Sequence, residues 1–180
     1  MHRKPITIAL LATLFALGVA CSRQAKITNL EPATVRNAEK QAGFDNISVD
    51  LDKVKGVVTL SGKLPSQNEK DRAAQVAQGV AGNLVVSNQI SVEPPGAETQ
   101  AREIASNIDD SIEKQFKALL IANHWDKEHI SYKSKNGVLT IKGKVASTQQ
   151  RADVEKVAAT VPSVSQVVNE LDVQRKTQND

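Results

Sequence analysis

Two stretches of the chain carry the same alternation of apolar and polar positions. Val58, Leu60 and Leu64 alternate with Val57, Thr59, Ser61 and Lys63, and eighty-one positions later Leu139, Ile141 and Val145 repeat the pattern. A period of two, rich in β-branched residues, predicts a strand with one buried face. A shorter alternation precedes each stretch: Ile47, Val49 and Leu51 in the first, Ile130 and Tyr132 in the second. The KVKG and SKNG segments between them predict hairpin turns, Asn136-Gly137 most strongly. Gly56 and Gly137 fall in these turns. Gly62 and Gly143 fall on the core-facing side of the following strand, where a glycine predicts a bulge or a close approach by a helix. All four read as structural.

The period then changes from two to three-to-four. Ser66-x-x-Glu69 and Ser147-x-x-Gln150 each fit a capping box. Behind them run the stripes Ala73, Val76, Ala77, Val80 and Val154, Val157, Ala158, Val161, stopped by Gly82 and Pro162. A last strand follows in each copy, over 86–92 and 167–173. A helix also precedes each hairpin. In the second copy Ile104, Ile108, Ile112, Phe116 and Leu119 or Leu120 mark it. It starts either near Ala97 or after a cap at Asp110, and in the second case Asp109-Asp110 are charges at a helix start. In the first copy its counterpart, from Thr34 to Ala42, is short and weakly apolar.

Residues 56–92 and 137–173 align without a gap, with identities at twelve of thirty-seven positions. That predicts an internal duplication. The fold class is α+β: two tandem αββαβ domains, each a small three-stranded sheet with two helices on one face and a bare reverse face. The expected division is a signal peptide at 1–20, a tether at 21–29, a first domain at 30–93, a linker at 94–96, a second domain at 97–174 and a polar tail at 175–180.

Composition changes this picture little. The chain is 40% hydrophobic but only 3% aromatic, so its cores are built from Val, Ile, Leu and Ala. The N-terminus matters more. Arg3 and Lys4 precede a fifteen-residue apolar run, Ile6 to Ala20, suited to a signal peptide and short for a membrane span. The run ends LGVAC, and Cys21 is the single cysteine, so a disulfide framework is excluded. LGVAC resembles a lipobox, with Gly18 where that pattern prefers Leu, and the resemblance implies a lipidated Cys21. Ordinary signal cleavage after Ala20 is the alternative. Ser22 resembles an outer-membrane sorting signal. The formal net charge is +3, of which Arg3 and Lys4 leave with the signal. So balanced a chain is not expected to bind nucleic acid.

Candidate chemistry is sparse. His124 and His129 flank Trp125-Asp126, but no third and fourth ligand converge in the sequence, so no metal is expected. No nucleophile elbow or phosphate loop is present, so neither enzyme activity nor a cofactor is expected. If Tyr132 and Ile141 face the helices, Lys133, Lys135, Lys142 and Lys144 share the opposite face. That face is either a candidate site for anionic lipid or a solvated surface paired with Glu170 and Asp172. Trp125 either closes the second core or sits at a lipid interface.

The phrase G-V-[VL]-T-[LI]-x-G-K, the Ser-capped helix and V-x-N-x-[IL]-x-V, present twice, resemble the BON domain of bacterial envelope proteins. With the lipobox the chain is similar to dual-BON envelope lipoproteins. The resemblance implies an αββαβ fold, a periplasmic location with anchorage to the outer membrane, and a non-catalytic role. The expected partner is anionic phospholipid or a membrane surface. An interaction scaffold recruiting another envelope protein is the alternative.

Overall fold

The computed structural model describes residues 30–127 and 129–174, with the elements in the order helix, hairpin, helix, strand, twice over. The expectations about the signal peptide, Cys21 and the tail lie outside the described residues. The first unit comprises α1 (Pro32–Gln41), β1 (Ile47–Asp52), β2 (Val57–Leu64), α2 (Gln67–Ala81), β3 (Val85–Asn88) and β4 (Ser91–Val92). The second comprises α3 (Glu98–Ala122), β5 (Ile130–Lys135), β6 (Val138–Val145), α4 (Thr148–Ala158) and β7 (Gln166–Val173). β2 and β6 are the central strands, each antiparallel to the hairpin partner before it and parallel to the strand returning after the helix.

The local signals fold as their chemistry dictates. Ser66 and Ser147 cap α2 and α4, accepting from the N–H groups of Glu69 (3.3 Å) and Gln150 (3.1 Å). In the second cap Gln150 reaches back to the Ala146 N–H at 2.8 Å. Asn136 and Gly137 take φ of 51° and 83°, which makes the tight two-residue turn that matches strand twist. The apolar faces then meet as two separate cores. One joins Val35, Val58, Leu60, Ala77 and Ile90; the other joins Ile112, Phe116, Leu139, Ile141 and Val154. Phe116 and Tyr132 pack edge to face, with ring centroids 5.2 Å apart.

α3 begins at Glu98, the earlier of the two starts the sequence allowed, which puts Asp109 and Asp110 mid-helix. Three sequence expectations are corrected. The last strand of the first unit is broken between β3 and β4, where Gln89 donates to Leu60 O (2.9 Å) and buried Ile90 turns into the core. Gly62 (φ 135°) and Gly143 (φ 129°) accommodate neighbouring backbone and not a helix: a Cβ there would meet the carbonyl of Asn46 or His129, just before the first strand of each hairpin.

The reverse faces, finally, are not bare. Val57 of the first sheet packs on Val138 and Val168 of the second. Around this contact the Gln166 amide behaves like an added strand residue, accepting from Asn88 N (3.2 Å) and donating to Val86 O (2.7 Å). Lys70 Nζ donates to Asn136 O (3.1 Å), and Asn136 Nδ2 donates to Gln89 O (2.9 Å). Lys55 Nζ donates to Asp172 Oδ2 (2.7 Å) and to Glu170 O (3.2 Å). Apolar area left open on these two small sheets, of four and three strands, is thus closed by one sheet on the other.

Candidate functional site

The four lysines singled out in sequence do share one face of the second sheet, and all are exposed. Their surroundings differ. Lys133 is 2.9 Å from Glu113 Oε1 on α3, and that hydrogen bond, with the charge behind it, holds its ammonium above the usual lysine value. Lys142 pairs with the buried Glu170 at 3.1 Å, the cross-strand pairing the sequence allowed. Lys144 lies near Asp172, but that carboxylate is held chiefly by Lys55 across the domain joint, which keeps it below the ordinary range. Lys135 makes no ion pair among the described residues. At the Val138–Val168 end this face is covered by the first domain; beside Ser131, Tyr132, Thr140 and Lys142 it opens into a shallow depression of about 210 Å³.

A second cationic surface lies at the C-terminal end of α3. Lys114, Lys117 and Ile121 are spaced to fall on one outer face of the helix, and all three are exposed, Ile121 to 52%. Neither lysine forms an ion pair among the described residues. The helix ends at Asn123, whose Nδ2 returns to Leu119 O (2.8 Å). His124, exposed and at φ 59°, reverses the chain so that Trp125 folds back, its N–H on Leu120 O at 2.8 Å. Trp125 is half-buried. Its inner side packs on the second core; its outer side lines a groove of about 370 Å³ with Asn123, Asp153, Lys156, Val157 and Thr160. The ring closes the core, as the first alternative from sequence has it, and its outer side also reaches the surface. Gly56 and Gly137 serve turns, and Gly62 and Gly143 lie where neighbouring backbone approaches closely.

Sequence reasoning passed over two features. The Lys114, Lys117, Ile121 spacing was legible as a face opposite the core stripe. Asp109 was not: its carboxylate accepts from Ser134 Oγ (2.6 Å), Asn136 N (2.7 Å) and Gly137 N (3.0 Å), while Glu113 Oε1 accepts from Ser134 N (2.9 Å). Two acidic residues of α3 therefore clamp the hairpin and close the outer edge of β5. Among the described residues no group of three or more His, Cys, Asp and Glu could hold a metal, and no helix is long and apolar enough to cross a membrane.

The sequence model of the BON domain matches residues 33–94 and 108–175. Osmotically-inducible protein Y of Escherichia coli (strain K12) is 33% identical over 127 residues, 70% of this chain and 61% of that protein. The match thus spans less than two thirds of that relative. Among solved structures, the C-terminal domain of CdsD, the structural protein of the type III secretion system of Chlamydia trachomatis, aligns at 14% identity and TM-score 0.32, over 81% of this chain and 68% of that one. A second CdsD structure aligns at 11% identity and TM-score 0.34, over 78% and 90%. Scores so low establish no common architecture.

Proposed function

This chain belongs to the BON domain family, as a tandem pair, and from that premise we propose that it is a non-catalytic protein of the bacterial periplasm. In this reading its second domain docks on anionic phospholipid and so supports envelope integrity. The observation that carries the reading is the end of α3, where exposed Ile121 shares one outer helix face with Lys114 and Lys117, cations with no carboxylate partner among the described residues, and where half-buried Trp125 reaches the surface just past the helix end. An apolar side chain among cations, with an amphipathic aromatic close in sequence, suits the headgroup boundary, and each lysine near an anionic surface contributes about 1 kcal/mol. Lys135 on the adjoining β5 adds to this field; Lys133, paired with Glu113, and Lys142 and Lys144, facing Glu170 and Asp172, add less. Lipidation of Cys21 would anchor the chain to the outer membrane and convert weak docking into an intramolecular event.

The test is cosedimentation of the chain lacking residues 1–21 with phosphatidylethanolamine vesicles, with and without phosphatidylglycerol. Binding should require phosphatidylglycerol, weaken with salt, and be lost in Lys114→Glu/Lys117→Glu and in Ile121→Ser. Binding unchanged in those variants but lost when Lys133, Lys135, Lys142 and Lys144 are reversed would move the site to the sheet. Binding untouched by either set would end the proposal.

One observation favours a scaffold as a second reading. β1 has no counterpart of the Glu113 clamp, since Pro32 stands at that helical position, and the outward N–H groups of Val49 and Leu51 have no partner among the described residues. An extended segment of another envelope protein could add there as a strand. Crosslinking from β1 in intact cells, yielding a protein and not lipid, would support it.

A further inference from the structure

The two domains repeat the same order of helices and strands, and at one core position they differ in kind. Phe44 N donates to Glu39 O (2.9 Å) as Trp125 N donates to Leu120 O (2.8 Å), and each helix end is reversed by a residue of positive φ, Gly43 or His124. Glu39 thus occupies in the first domain the place that Leu120 fills in the second. Its exposure is 0%, and among the described residues neither carboxylate oxygen has a hydrogen-bond partner.

We propose that Glu39 is a proton-controlled latch: neutral Glu39 lets α1 lie against the first core, and loss of its proton loosens that helix from the domain.

An ionised carboxylate in an apolar site without a partner is among the costliest groups a core can hold, whereas its neutral acid costs far less. The charged groups on the surrounding elements do not relieve it. Arg36 and Lys40 on α1, Lys70, Asp71 and Arg72 on α2, and Asp50 and Asp52 on β1 form neither an ion pair nor a hydrogen bond with it. Arg36 is directed to Val49 O, Lys70 to Asn136 O and Arg72 over the Phe44 ring. Burial raises the Glu39 carboxyl from 4.5 to about 7, opposed only in part by the backbone at Ala77.

The sign follows. A carboxyl raised on folding binds its proton more tightly in the folded state, so its penalty is absent below about pH 4.5, grows as pH rises, and is complete above about pH 7. α1 is the element through which residues 1–29 join the first domain. Releasing residues 30–42 lengthens that connection by up to about 40 Å if the segment extends, and uncovers the faces of α2 and β1 on which Val35 and Leu30 pack.

The test is amide hydrogen exchange of α1 in the full chain, corrected for intrinsic rates, between about pH 5 and about pH 8.5. The α1 opening constant should rise with pH, by at most about 300-fold over the whole titration. Exchange in the second domain, and Trp125 fluorescence with it, should not change. Glu39→Leu should hold α1 closed at every pH. Glu39→Gln should flatten the pH dependence, and if the Gln variant does not fold, the Leu variant decides. An α1 opening constant that is flat in the natural protein, or that rises equally in Glu39→Leu, overturns the proposal. Vesicle binding takes no part in this readout, so its failure and that of the membrane reading remain distinct.

Discussion

Replacing Asp109 with Ala removes one carboxylate that accepts three hydrogen bonds, two from backbone N–H groups of the β5–β6 turn and one from Ser134. Hydrogen bonds to a charged group contribute about 1.5–3 kcal/mol each. Asp109 is only half-buried, so water replaces part of what is lost, and the helix gains slightly from Ala. The net loss should be roughly 2–4 kcal/mol, a large fraction of the stability of so small a domain. Trp125, the single tryptophan, packs on the second core and reports its unfolding directly. In urea the midpoint should fall by about 1–3 M. Asp110 is the internal control: it is adjacent in sequence but exposed, and its side chain has no hydrogen bond among the described residues. Asp110→Ala should therefore stay within about 0.5 kcal/mol of the natural chain. If the two substitutions cost the same, or Asp109→Ala costs less than about 0.5 kcal/mol, the clamp is not what holds α3 to the hairpin.

Three further outcomes follow from the same geometry. Gly143→Ala forces a Cβ into the His129 carbonyl at φ 129°, and should lower second-domain stability by more than about 3 kcal/mol or abolish its cooperative transition in circular dichroism. Gln166→Ala strips two hydrogen bonds from the domain joint, and should speed amide exchange at Asn88 while the urea midpoint of each isolated core stays nearly constant. The Lys55–Asp172 contact, whose carboxyl is depressed on folding, contributes above the ordinary aspartate value and is lost as pH falls through the folded one. Cross-domain nuclear Overhauser contacts between Lys55 and β7 should weaken in acid, and Lys55→Met should abolish that pH dependence.

The elements themselves were legible because local physics decides them. Alternation at Val58, Leu60 and Leu64 fixes which side of β2 is buried, Ser66 and Ser147 fix where α2 and α4 begin, and Asn136-Gly137 fixes the tighter hairpin. Even the Lys142–Glu170 pair was implied once two strands were set in register. The start of α3 was not settled, because both candidate starts fitted the stripe and the outcome turned on packing of its first half along β4. The lysine row was read correctly as a face but not as a field, since its neutralising partner Glu113 arrives from another element.

The sequence alone determined that a unit of two helices and three strands occurs twice, since duplication, periodicity and caps act over a few residues at a time. Tertiary structure decided which reverse faces stay open, that Val57 closes on Val138 and Val168, that Asp109 clamps a turn 27 residues away, and that Glu39 stands in a leucine's place with no partner among the described residues. Those depend on distances between segments remote in the chain, and no local pattern encodes them. A lone glutamate on a helix looks solvated until the surfaces that enclose it are in place.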